Sequence, residues 1–181
     1  MKQNHLPPNL GLKNFLFLCI ALIVTDLTAQ NNDVVIVDED FPNKTGLMAS
    51  LPVTVQFFEI NTGTTFQHAL EKAFELNSNL ENIHLFCTSG DSSITIGDKE
   101  YSMNNVSNSL NHRKFKVYSN VNLLVYSCSL AKNTQGTTFL EALASETGFI
   151  VASCFSCETI DEELQFDFST SSNFVSPTLF K

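Results

Sequence analysis

Five short apolar stretches recur along the chain, and between them the hydrophobic period changes from that of a strand to that of a helix. DVVIVDED (33–40), PVTVQFFEI (52–60), NIHLF (82–86), NVNLLVY (120–126) and GFIVAS (148–153) are β-branched or aliphatic runs of the kind that fill a buried parallel sheet. Phe66, Ala69, Leu70, Ala73 and Phe74 fall at i, i+3, i+4, i+7 and i+8, which predicts a helix with Thr64 and Gln67 as a capping box. Phe139, Leu140, Leu143 and Ala144 mark another helix after Gly136. SITIGDKEYSM (93–103) places Gly-Asp between two alternating runs and reads as a hairpin, followed by a brief helix through Val106 and Leu110. LQFDFS (164–169) alternates and suits an antiparallel edge strand. The expectation is an α/β fold: a three-layer sandwich on a mostly parallel sheet of about five or six strands. No repeat or linker divides it, so residues 30–181 form one domain.

The segment before the first strand has a different character. Lys2 and Lys13 precede NFLFLCIALIVT, an apolar run of signal-peptide length that is short for a membrane span, and Ala29 stands at a cleavage point. Residues 1–29 therefore read as a signal peptide, and the remainder as secreted, periplasmic or cell-surface, with no transmembrane span after leader removal. Cys19 does not fit a lipoprotein site, because Leu18 precedes it where a small residue belongs. A net charge of −9 over 181 residues, with Arg113, Lys114 and Lys116 as the only basic cluster, argues against nucleic acid as a partner.

In an open α/β sheet, chemistry collects at the carboxyl ends of the strands. LLVYSCSLAKNTQG (123–136) puts Cys128 at such an end, ahead of a polar loop and a helix. A working thiolate needs a base within hydrogen-bond reach, and the neighbouring source is the end of the third strand, IHLFCTSGDSSITIG (83–97).

These two blocks resemble the bacterial domain of unknown function 4347, whose pattern runs Ile-His-hydrophobic-hydrophobic-Ser-His-Gly and, later, Tyr-Gly-Cys before a small-residue loop, a helix and a Val-Ala-Ala-Ser strand. The resemblance spans residues 33–155 and implies a fold similar to the caspase and gingipain cysteine peptidases, with a dyad His after strand three and a Cys after strand four. This chain departs from the pattern at the decisive places. Thr88 stands at the dyad His position, Ser89 at the following Gly, and Ser127 at the Gly before the Cys; only Cys128 is kept. A threonine cannot accept a proton near neutral pH, so Cys128 is expected to be a vestigial nucleophile. His84 lies inside a strand and reads as a packed histidine; His112 reads as part of a solvated face, with a rescued dyad as the alternative; and His68, beside core residue Ala69 on the capped helix, offers nothing specific.

The remaining features carry less. Cys154 and Cys157, in CFSC, have the spacing of a redox or zinc half-site but no second pair. Asp38, Glu39 and Asp40 suit either calcium or a solvated loop, and Thr88, Ser89 and Ser92 around Gly90 suit an anion-binding turn that Asp91 opposes. No cofactor or metal is expected. The family's sheet order would bring the ends of strands three, four and five together, implying a disulfide of Cys128 with Cys154 or Cys157, with free buried thiols as the alternative. The reading is an exported, non-catalytic interaction module, associated with adhesion and directed at an unknown protein or surface partner. The alternatives are an active cysteine peptidase or autoprocessing domain using Cys128 with another base, and a domain held together by disulfides or metal through its cysteines.

Overall fold

Strand β1 (Asp33–Asp38) is apolar at every position between its two acids, as a strand covered on both faces must be. It lies between β2 (Gln56–Ile60) and β3 (Asn82–Phe86), and the sheet continues through β7 (Asn122–Val125), β8 (Ile150–Ser153) and β9 (Phe168–Ser169). All neighbours are parallel except β9, which runs antiparallel to β8. A small antiparallel sheet of β4 (Thr88–Ser89), β5 (Ser93–Ile96) and β6 (Lys99–Ser102) projects from the end of β3. This computed structural model describes residues 32–118, 120–127, 129–155 and 164–179, all within the unit Asn31–Lys181. The expected mostly parallel α/β sheet and its hairpin are present, while the antiparallel edge strand expected over 164–169 is confined to Phe168–Ser169. Strand three has the fourth strand of the main sheet, β7, as its neighbour, and β7 has β8.

Alternation sorts the strand residues onto two faces. On one, Ile36, Ile83, Leu85, Leu123 and Val151 pack with Phe66, Leu70 and Ala73 of α2 (Phe66–Leu76) and Phe139, Leu140 and Leu143 of α5 (Thr134–Thr147). On the other, Val35, Val37, Phe86, Leu124, Tyr126 and Ala152 meet Leu47 of α1 (Lys44–Ser50), Leu179, and the half-buried Leu164, Phe166 and Phe174. The second outer layer is thus one short helix plus an extended C-terminal segment. Two short helices, α3 (Val106–Ser109) and α4 (His112–Phe115), follow the hairpin.

Several local expectations are corrected. Strand β2 begins at Gln56, because Pro52 opens a turn whose carbonyl accepts the Val55 N–H. Thr65, not Thr64, caps α2, accepting the His68 N–H at 3.2 Å, and Gln67 bonds Glu71 instead of closing a capping box. Helix α5 starts two residues before Gly136, since the Asn133 side chain caps it. The acids after β1 are neither a metal cluster nor a solvated loop as a group. Buried Asp38 accepts the Gly97 N–H at 2.7 Å and the Asp40 N–H at 3.1 Å, while Glu39 takes the N–H and hydroxyl of Thr62. Gly97 has φ +60°, and a β-carbon there would crowd the Asn61 carbonyl, so Asp38 locks the hairpin tip against the main sheet.

A polar ladder crosses the amino ends of the central strands. Asn122 Nδ2 donates to Asn82 Oδ1 at 2.8 Å, and Asn82 Nδ2 donates to Asp33 Oδ1 at 2.6 Å. Buried His84 stands above it, with Nδ1 2.8 Å from the Tyr126 hydroxyl and Nε2, which has no hydrogen-bond partner, 3.9 Å from Asp33 Oδ1. Burial by itself would raise the Asp33 pKa, but the neighbouring His84 ring and Asn82 amide outweigh it and hold the carboxyl below its ordinary 3.8. A carboxyl depressed in the folded state stabilises fully above its unfolded value, and loses that contribution as pH falls through the folded one. Urea midpoints of the wild type should therefore fall more steeply below pH 3.8 than those of Asp33→Asn, which should be the less stable protein at pH 7. Parallel acid dependence of the two would contradict this role.

Candidate functional site

The strand order reverses at β1, where the chain crosses from β2 back to β3, and such a switch opens a crevice at the carboxyl ends. A cleft of about 1460 Å³ occupies that place. Phe41, Pro42 and α1 follow β1 to form one wall; Cys87, Thr88 and Ser89 follow β3; Tyr126 and Ser127 follow β7; and Lys132, Asn133, Thr134 and Gln135 lead into α5. The aromatic part of the lining is anchored in the core, with the Tyr126 ring stacked on Phe86 at 4.0 Å and Phe41 edge-on to Phe86 at 5.5 Å. Burial, followed by the Asp33 charge, pushes the Tyr126 hydroxyl pKa up, so it remains a phenol.

Hydroxyls and amides bind the two strand-end loops together. Buried Ser127 Oγ donates to Ser89 Oγ at 2.6 Å and accepts the Leu130 N–H at 3.3 Å. Ser129 Oγ donates to the Gly90 carbonyl at 2.8 Å. Asn133 makes the widest connection: Nδ2 donates to the Asp91 carbonyl at 2.9 Å, while Oδ1 accepts the Gly136 N–H at 2.8 Å in the first turn of α5. The loop after β3 also comes against the start of α5 at Gly136, where a β-carbon would overlap the Leu130 carbonyl oxygen and approach that of Asp91 to 2.7 Å.

The residues singled out from the sequence are distributed as follows. Thr88 is exposed, lines the cleft and opens β4, where it pairs with Thr95. Ser89 and Ser127 are hydrogen-bonded to each other. Cys87 is a free, buried thiol; burial and then the Asp38 charge raise its pKa, so it stays protonated and inert. Cys154 is disulfide-bonded, to a partner outside the described residues. Cys128 and Cys157 also lie outside the described residues. His84 is buried in the sheet and His68 is exposed on α2, so neither lines the cleft.

The family model of a domain of unknown function, DUF4347, matches residues 34–157. The chain belongs to the DUF4347 family. No curated protein and no solved structure matches it. The match to DUF4347 runs from Val34 of β1 through β8, leaving out β9, and includes the segments after β1, β3 and β7 that line the cleft.

Sequence reasoning missed α1, Ser129, Lys132 and Asn133. Only Leu47 of α1 is buried, so its seven residues show no apolar period. Asn133 did carry a signal, an N-cap residue directly before a helix. Among the described lining residues the ionisable groups are Asp91 and Lys132, besides the protonated Cys87 and Tyr126, and there is no imidazole. Such a lining can hold a ligand by hydrogen bonds and aromatic contact; it offers no His for proton transfer.

Because the Ser89 and Ser127 hydroxyls are mutual partners, removing either leaves the other short of one bond. In a double-mutant cycle, Ser127→Ala should destabilise by about 1–2 kcal/mol, and Ser89→Ala added to it should cost much less than alone. Strict additivity in urea unfolding would show that the pair is not coupled.

Proposed function

We propose that this DUF4347 chain is an exported, non-catalytic interaction module, associated with adhesion, on a fold related to the caspase-like cysteine peptidases. One observation carries the reading. At the cleft, the end of β3 presents Thr88 where the family pattern has a dyad His, and at the neighbouring strand ends the Ser127 hydroxyl donates to Ser89. A ligand would meet a rim already tied by its own hydrogen bonds, which suits binding to a surface partner better than proton transfer during bond cleavage. Export is supported by the leader-like residues 1–29 and by the disulfide at Cys154, a bond favoured in oxidising compartments. Among the described residues, no helix is long and apolar enough to cross a membrane.

The purified protein, recovered outside the cytoplasm and beginning at Gln30 by intact mass, should cleave neither itself nor Arg-, Lys- or Asp-directed peptides. Cys128→Ala should leave that background unchanged. Hydrolysis that disappears in Cys128→Ala would overturn the reading and establish a peptidase with another base. Rebuilding the pattern with Thr88→His, Ser89→Gly and Ser127→Gly should restore little activity, since the supporting groups around a site must be placed as closely as the site itself.

A further inference from the structure

We propose that the open edge of β2 is a docking site for an extended peptide segment of a partner protein, added to the sheet as one more strand. The proposal rests on the reading of the chain as an interaction module and moves the contact from the cleft to the sheet edge.

The two sheets present four edges, and three of them are poor templates. β9 and β4 have two residues each, and β6 carries Lys99 and Glu100. β2 has five residues and β1 on one side only; among the described residues no strand lies beyond it. Its free groups follow from the register. The Ile60 carbonyl accepts the Glu39 N–H at 3.0 Å, so Ile60 and Phe58 direct their backbone toward β1, and Phe57 and Glu59 direct theirs outward. Two N–H and two C=O groups therefore face away from the sheet. Edge strands are ordinarily blunted by a lysine, a proline or a bulge, and QFFEI contains none of these. Its single charge, Glu59, is neutralised by Lys44 at 2.6 Å, and Phe57 is 45% exposed.

The size of the edge selects the occupant. Five residues span about 16 Å, which suits strand addition by a peptide but not the roughly 800 Å² per partner of a stable dimer. The chemistry of the incoming strand follows from the outward side chains. A β-branched or aromatic residue belongs beside Phe57, and a polar residue beside the Lys44–Glu59 pair, in alternation.

A library of linear peptides displayed on phage, selected on the intact protein, supplies the probe; enriched peptides are then synthesised and titrated by fluorescence anisotropy. They should show the alternating pattern and lose only about threefold in affinity on Glu59→Ala, which removes the side-chain contact but keeps the outward N–H. Glu59→Pro removes the N–H while sparing the inward bonds, and should weaken binding at least about tenfold. N-methylating the peptide backbone leaves the protein untouched: one alternate set of amides should abolish binding and the other set should not. Enriched peptides that bind Glu59→Pro as well as wild type, or lose affinity in Tyr126→Ala, would overturn the edge proposal while leaving an interaction module that works through its cleft. Failure to enrich any peptide, or a stable dimer by light scattering that Glu59→Pro dissolves, would overturn it too. Failure of the module reading itself would appear separately, as Cys128-dependent hydrolysis.

Discussion

The central strands β1, β3 and β7 are covered on both faces, and this decides where polar atoms can sit. A buried polar group without a partner is costly, so the interior of each strand is apolar and the polar residues gather at the ends. At the amino ends they form the Asp33–Asn82–Asn122 ladder. At the carboxyl ends Asp38 holds the hairpin, Ser153 Oγ donates to the Val125 carbonyl at 2.9 Å, and Ser127 reaches the loop after β3. His84 is the exception within a strand, accommodated by the Tyr126 hydroxyl on one side and a nearby carboxylate on the other. The polar ends shape the molecule's two poles differently: the amino pole is closed on itself, and the carboxyl pole opens into a cleft.

At that open pole, Ser89, Ser127 and their neighbours behave as a unit. A lone hydroxyl at position 127, buried and facing a glycine, would lose the partner it now has in Ser89. With Ser129 and Asn133 adding bonds to the Gly90 and Asp91 carbonyls, the loop after β3 is held to the loop after β7 through both side chains and backbone. A rim tied in this way loses little freedom when a ligand arrives, which favours binding.

Much of this was legible in the sequence because buried parallel strands and amphipathic helices have distinct periods, and the five apolar runs and the Phe66–Phe74 face belong to those two classes. What escaped was set by contacts between distant segments. Asp38, Glu39 and Asp40 look alike in sequence, yet their roles were assigned by Gly97 and Thr62, which no local pattern connects to them. The helix start at Thr134 depended on the Asn133 amide reaching both Asp91 and Gly136. The serines at 89 and 127 were visible at once, whereas their hydrogen bond required the pairing of β3 with β7. Helix α1 was invisible because a single buried leucine generates no period.

The outer layer built from α1 and the segment 164–179 also bears on the order in which the molecule can be completed. Val35, Val37, Phe86 and Leu124 are synthesised well before Phe166, Phe174 and Leu179, which help to cover them. The helices on the opposite face come from within the sheet-forming sequence itself and can pack as the strands arrive. One side of the sheet is thus covered by helices from between its own strands, while the other, α1 apart, is completed by the C-terminal segment, which lies more than a hundred positions from Val35 and Val37. Until residues 164–179 have docked, the apolar surface around Phe86 and Leu124 lacks part of its cover, the kind of surface through which partly folded chains aggregate.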